Sequence, residues 1–364
     1  MRKGHVVKTR VLRFGSLTSP LARSQSQAFI DRVHEETPCL SSQLILLPDE
    51  VDGEDTRSEV FTATSHSQVT RLAGMLTSGQ IDAVVLEAAD LPPVPPEGTA
   101  ILCSPPRVTP FDAYLNRQGQ IMDEMEPRSR VGVLSARAKA QMTHLWPDIT
   151  FQLMHGGIDR AMETHLRQSE IDGLVLPAAA TEYLGIQGIV AEIYAPDFIL
   201  PGSGQGSLVV LGRADDDETR QALRPLHCPD ALVEITAEMA FRRRMISDMD
   251  IPVGVLAQVK DDEVVIIGST GPCLNRVSVH GPVTKAEEVG LGLAQQILSS
   301  GEALVNLLEA DFPDGLPPED DEYLELDDED LEAGRSDETI DPLDAEIAAL
   351  EEDDDFSDPD EYRP

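Results

Sequence analysis

The first hundred residues alternate between two hydrophobic periods, and that alternation constrains the fold more than any other feature. "HVVKTRVLRFGS" has the β-branched content and small-residue ending of a strand. "SPLARSQSQAFIDRVHEE" then opens a helix, with Ser19 placed as N-cap and Pro20 at the first helical position, where its missing N–H has no partner to lose. "SQLILLPDE" predicts a buried strand, and "QVTRLAGMLTSG" a helix that stops at Gly79. "IDAVVLEAADLP" predicts a strand running into a loop. Strand, helix, strand, helix, strand demands crossover connections, hence a parallel sheet with helices on its faces.

"LPPVPPEGTAILCSPPRVTP" cannot be helical, because each proline removes a donor and restricts the residue before it. It predicts a crossing into a second domain, where the rhythm restarts with "SRVGVLSARAKAQMTHLWPDITFQLM" and "GIDRAMETHLRQSEIDGLVLPAAATEYLG". "FILPGSGQGSLVVLGRADD" predicts a strand returning after a glycine-rich turn. A third unit begins near residue 226 with the helix "PDALVEITAEMAFRRRM". Two strands around a Lys-Asp-Asp turn follow in "PVGVLAQVKDDEVVIIGSTG", and "TKAEEVGLGLAQQILSSGEALVNLLE" closes it as a helix. No internal repeat is visible.

The net charge of −38 is unevenly spread. Residues 311–364 hold 25 acids against Arg335 and Arg363. So much charge with so little apolar content cannot offset ordering entropy, so this segment is expected to be a disordered acidic tail, with "PLDAEIAALEE" able to form a short helix on binding. A basic protein partner suits it. The rest of the chain is moderately acidic too, which excludes the basic surface that nucleic acid requires. No apolar run reaches the roughly 18 residues of a membrane span, and the N-terminus lacks a following apolar stretch, so a cytoplasmic protein without membrane contact is expected. Cys39, Cys103, Cys228 and Cys273 lie far apart and suit buried reduced thiols. His144, His155 and His165 have no metal-ligand spacing, and no metal site is expected.

Six segments in order bear a family resemblance. "SPLARSQ" resembles the opening helix motif of hydroxymethylbilane synthase, also called porphobilinogen deaminase. "IDAVVLEAADLPPVPPEG" resembles its strand and loop with the catalytic aspartate, here Asp90. "RVTPFDAYL" keeps Arg107, Asp112 and Ala113 of a further motif, and "VGVLSARAKAQ" keeps Gly132, Ser135, Arg137 and Gln141. "LPGSGQGSLVV" resembles the Gly-Gln-Gly segment, and "AEMAFRRRMISDMDIPVG" the cysteine motif without a gap. The resemblance spans roughly residues 8–310. It implies an α/β fold of two periplasmic-binding-protein-like (type II) domains, 8–104 with 203–222 and 105–202. A small α+β domain over 226–310 would precede the acidic tail at 311–364.

The resemblance also implies chemistry. The family condenses four porphobilinogens with release of ammonia, on a dipyrromethane cofactor thioether-linked to the motif cysteine. The growing chain is a polyanion, best held by arginine–carboxylate pairs, and one carboxylate must manage protons beside the reacting ring. Asp90 supplies the carboxylate if the protein is active, and Ser135, Arg137, His155 and Gly156 stand at substrate-binding positions. Much of the basic clamp is replaced. Ala89 stands at the lysine position, Ala138 at the second arginine of a pair, and His155 and Ala161 at two more arginines. Met249 stands where the attachment cysteine belongs, and its sulfur is already fully alkylated, so dipyrromethane is not expected to be covalently attached.

Each position also has a plainer reading. Asp90 before a proline suits a turn or cap. Arg137 is a carboxylate ligand or an ordinary surface helix residue. "GSGQG" (202–206) is a hinge or a close approach to a ligand, and "HGG" (155–157) a glycine turn or an anion contact. "RRR" (242–244) reads as a solvated helix face. Two functions therefore stand side by side: a deaminase-like protein of tetrapyrrole (porphyrin) biosynthesis, a transferase by descent whose status as an enzyme is open, and a non-catalytic protein binding a small ligand in the interdomain cleft.

Overall fold

The structure, a computed structural model, describes residues 10–47, 66–92, 94–154, 157–162, 170–248, 252–271 and 275–300. The expectations for His155, Gly156, Met249, Cys273 and the acidic tail fall on residues outside these. Residues up to Ala294 form one compact unit. Of the second unit, from Gln295, only the end of the last helix is described.

The chain opens with β1 (Val11–Leu17), α1 (Pro20–Glu36), β2 (Ser41–Leu47), α2 (His66–Thr77), β3 (Ala83–Glu87) and β4 (Thr99–Cys103). It continues through β5 (Asp112–Leu115), β6 (Arg130–Val133), α3 (Ala136–Leu145), β7 (Thr150–Leu153), α4 (Ile158–Arg160), β8 (Gly173–Pro177), α5 (Ala178–Tyr183) and β9 (Val190–Tyr194). It returns through β10 (Leu208–Arg213) and α6 (Asp217–Leu223) to the long α7 (Pro229–Asp248). The last elements are β11 (Val253–Lys260), β12 (Glu263–Thr270), β13 (Val277–Pro282) and α8 (Ala286–Ser300).

Two five-stranded sheets share one plan, β2-β1-β3-β10-β4 and β7-β6-β8-β5-β9. In each, one strand runs against the rest: β10 lies antiparallel between β3 and β4, and β5 antiparallel between β8 and β9. Both odd strands directly follow a crossing between the lobes. Two such crossings, each feeding an antiparallel strand into the next sheet, give the type II periplasmic-binding-protein arrangement. The third sheet is a meander, β11-β12-β13.

The first sheet is buried on both faces, so β3 is a continuous apolar run rather than an alternating one. Val84 and Leu86 pack with Leu72, Leu76 and Val209 on one side, while Ala83 and Val85 meet Phe14, Phe29 and Val210 on the other. Ser19 caps α1 through the Ala22 N–H, as expected from Ser-Pro. The Lys-Asp-Asp turn holds Asp261 and Asp262 at φ 50° and 65°, the left-handed pair that suits a tight hairpin.

Three local expectations need correction. β2 is an edge strand with half-exposed residues, because nothing pairs with its outer side among the described residues. The proline-rich crossing contains a strand, β4, since Thr99–Cys103 lies between the prolines rather than among them. The sheet around the Lys-Asp-Asp turn has three strands rather than two, β13 being the one whose alternating exposure marks a sheet edge. Cys39 is exposed and unpaired, whereas Cys103 is buried.

Candidate functional site

The strand β3 ends in a single 3-10 turn, Ala88–Asp90, which places Asp90 at the carboxyl end of the first sheet. Its side chain is 2% exposed. The Ala88 N–H donates to Ser207 O at 2.7 Å, which fastens this turn to the segment entering β10. That segment comes very close. Gly204 has φ +76°, and a β-carbon there would lie 2.7 Å from both Ala88 C and Ala89 N. Gly206, at φ +73°, would put a β-carbon 1.9 Å from Thr109 O. Glycine is required at both for two reasons at once, backbone conformation and contact with neighbouring backbone.

On the second lobe, Ser135 caps α3 by accepting from the Ala138 N–H at 3.1 Å. Arg137, in the first turn, is buried rather than on the surface. Its Nη1 donates to Leu200 O (2.8 Å), and its Nη2 to Asp112 Oδ1 (2.9 Å) and Gln205 Oε1 (3.2 Å). Gln141, one turn on, exchanges two bonds with the Leu200 backbone at 2.7 and 3.0 Å. The 202–206 segment thus touches Asp90's turn on one side and the Arg137 cluster on the other. Of the five positions read from sequence as catalytic or substrate-binding, Asp90's turn and Arg137 flank this segment and Ser135 caps the helix that carries Arg137; His155 and Gly156 lie outside the described residues.

Four further polar residues hold the 202–206 segment and the Asp90 turn, and sequence reasoning missed their roles. Gln205 donates to Pro110 O, Phe111 O and Asp112 Oδ1 at 2.8–3.3 Å, and its own carbonyl accepts from Arg107 Nε and Nη2. Glu238, fully buried on α7, accepts from Arg107 (2.7 and 3.3 Å), the Gly204 N–H (2.7 Å) and the Ala257 N–H (2.8 Å). Glu87 accepts from the Gly206 N–H at 2.8 Å; burial pushes its carboxyl up, against the pull of Gly206, Gln25 and Arg107. Arg242, expected on a solvated face, is only 7% exposed, and its Nη1 donates to Ala89 O (2.8 Å) and Leu91 O (3.3 Å). Arg243 makes an outward ion pair with Glu287 at 2.6 Å. The one available signal was spacing: Glu234, Glu238 and Arg242 recur every four residues, on one helix face.

Among the described residues no group of three or more His, Cys, Asp or Glu could hold a metal ion, and no helix is long and apolar enough to cross a membrane.

Two type II α/β lobes joined by a double crossing, with a buried carboxylate at the end of β3 and an arginine at the start of α3, define a protein of the two-lobed binding-protein architecture. A family model described as porphobilinogen deaminase, dipyromethane cofactor binding domain, matches residues 12–221. The porphobilinogen deaminase of Thermus thermophilus is 32% identical over 298 residues, 80% of this chain and 97% of that protein. Those of Roseiflexus sp. and Syntrophotalea carbinolica are 35% and 31% identical, over 64% and 81% of this chain and 78% and 95% of their own lengths. The chain belongs to the porphobilinogen deaminase (hydroxymethylbilane synthase) family of tetrapyrrole biosynthesis, for which dipyrromethane is the expected cofactor.

The donor set present does not fit a covalently held, polyanionic dipyrromethane. Met249 offers no thiol for the link. Arg107 and Arg137, the two hinge arginines, direct their hydrogen bonds to Glu238, Asp112, Gln205 and Leu200.

Proposed function

We propose that this chain is a deaminase-like protein, of tetrapyrrole biosynthesis by descent, that binds a small ligand between its two lobes without covalently anchored dipyrromethane and without the fourfold condensation. The observation that carries this reading is the commitment of Arg137. A guanidinium that pairs with Asp112 at 2.9 Å, both side chains under a tenth exposed, has its charge largely compensated before any ligand arrives. Freeing it for a substrate carboxylate would leave Asp112 buried and unpaired, which is strongly unfavourable. A ligand smaller or less charged than a growing polypyrrole suits such a lining. The acidic segment 311–364 supplies charge complementarity for a basic protein partner.

A second reading, turnover of porphobilinogen, is favoured by one observation: Asp90 stands buried at the carboxyl end of β3, where open α/β sheets place their ligands. Incubating the purified protein with porphobilinogen, oxidising the mixture and following porphyrin absorbance separates the two. No porphyrin above a protein-free control is expected. A robust signal that Asp90→Asn abolishes would overturn the proposal.

A further inference from the structure

The helix α7 packs against β11 of the three-stranded sheet, yet one of its side chains reaches back to the turn that carries Asp90. Arg242 Nη1 donates to the carbonyls of Ala89 and Leu91, the two residues on either side of Asp90. A single guanidinium nitrogen therefore spans the whole turn. Four residues earlier on the same helix face, Glu238 holds the Gly204 N–H, and Gly204 packs on the backbone of Ala88 and Ala89 from the other side. The Asp90 turn is thus gripped twice from one helix.

Burying an arginine costs free energy that two neutral carbonyl contacts do not return by themselves. Burial lowers the affinity of the Arg242 guanidinium for its proton, and the charge of Asp90 opposes that. A buried negative charge nearby offsets part of that cost, and Asp90, 2% exposed, lies between the two residues whose carbonyls Arg242 contacts.

We infer that Arg242 is a positioning residue for Asp90: it fixes the backbone on both sides of that carboxylate and places a buried positive charge beside it. This rests on the reading of Asp90 as the functional carboxylate of the site. Ala89, beside Asp90, carries no charge, so the turn itself supplies no cation. Glu87, at the end of the same strand, and the Glu238–Arg107 pair on the α7 side are further charged groups near this turn among the described residues.

The test is a double-mutant cycle read by urea denaturation of the full chain. Its variants are Arg242→Gln, which keeps a donor and loses the charge, Arg242→Lys, which keeps both, and each of these with Asp90→Asn. At neutral pH Arg242→Gln is expected to raise the unfolding equilibrium constant by at least about fivefold more in the Asp90 protein than in the Asp90→Asn background. Arg242→Lys is expected to restore most of that difference. The effect of Arg242→Gln should also shrink as pH falls through the carboxylate range in the Asp90 protein but not in the Asp90→Asn background, which separates it from titration of Glu87. Equal effects of Arg242→Gln in the two backgrounds at every pH, or no rescue by lysine, would overturn the inference. Because the readout is stability, the presence or absence of porphobilinogen turnover does not change how these results are read.

Discussion

Replacing Glu238 by alanine removes an acceptor that four hydrogen bonds converge on. Oε1 accepts from Arg107 Nη1 at 2.7 Å and from the Ala257 N–H at 2.8 Å; Oε2 accepts from the Gly204 N–H at 2.7 Å and from Arg107 Nη2 at 3.3 Å. The glutamate side chain is 0% exposed and that of Arg107 is 8% exposed, so water cannot readily take over. Breaking a buried ion pair from one side costs about 3–5 kcal/mol, since the other charge stays buried without its counter-ion. Two orphaned backbone N–H groups, each costing about 1–3 kcal/mol, push Glu238→Ala to the upper end of that range or beyond. With a urea slope of about 3 kcal/mol/M, a loss of about 5 kcal/mol moves the midpoint down by about 1.7 M. Arg107→Met is expected to cost less, because the carboxylate keeps two backbone donors. The double variant should fall near Glu238→Ala alone, the non-additivity of residues in one network. The assay is equilibrium urea unfolding followed by far-UV circular dichroism. A Glu238→Ala loss below about 1 kcal/mol, or simple additivity with Arg107→Met, would refute the claim that this pair locks α7 to the hinge.

Other outcomes follow from the same geometry. Gly206→Ala should leave little folded protein, its β-carbon meeting Thr109 O at 1.9 Å, whereas Gly79→Ala, at φ +71° with nothing within 4 Å, should cost only about 1–2 kcal/mol in urea unfolding. Glu87→Gln should gain stability over the parent as pH rises. Burial raises the folded-state value above the ordinary 4.5, so the wild-type contribution is full below that value and is lost as pH rises through the folded one; a midpoint difference constant from acid to neutral pH would contradict this. Asp82 behaves oppositely. Burial pushes its carboxyl up, but bonds from Arg13 (2.9 and 3.0 Å) and Arg213 (3.4 Å) outweigh that and hold it below 3.8. Its stabilisation is present above that value and lost as pH falls through the lower folded one, so Asp82→Asn should be destabilised at neutral pH and converge with the parent in acid midpoints.

The strand–helix rhythm made most of the fold legible, because hydrophobic period and proline or glycine punctuation are local properties. Ser19-Pro20, Gly79 and the Asp261-Asp262 turn were readable for that reason. The edge position of β2 was not, since "SQLILLPDE" is apolar enough for a central strand and only pairing partners decide. Asp90, Ser135 and Arg137 came from ordered motifs. Their environments did not: that Arg137 faces Asp112 and Leu200 depends on contacts 25 and 63 residues apart. Arg242 was misread because a run of arginines near a helix end usually faces water. Here the turn after β3 comes back to cover one member of the triplet. Buried polar hubs such as Gln205 and Glu238 look like surface residues in a one-dimensional pattern, and only the packed hinge shows what they hold.

The central claim is that this member of the porphobilinogen deaminase family carries no covalently attached dipyrromethane. Mass spectrometry of the intact protein, purified from a host that supplies porphobilinogen, tests it most directly. The expected spectrum shows the mass of the bare chain, and incubation with porphobilinogen leaves it unchanged. A mass excess equal to a bound dipyrromethane, surviving denaturation, would contradict the account.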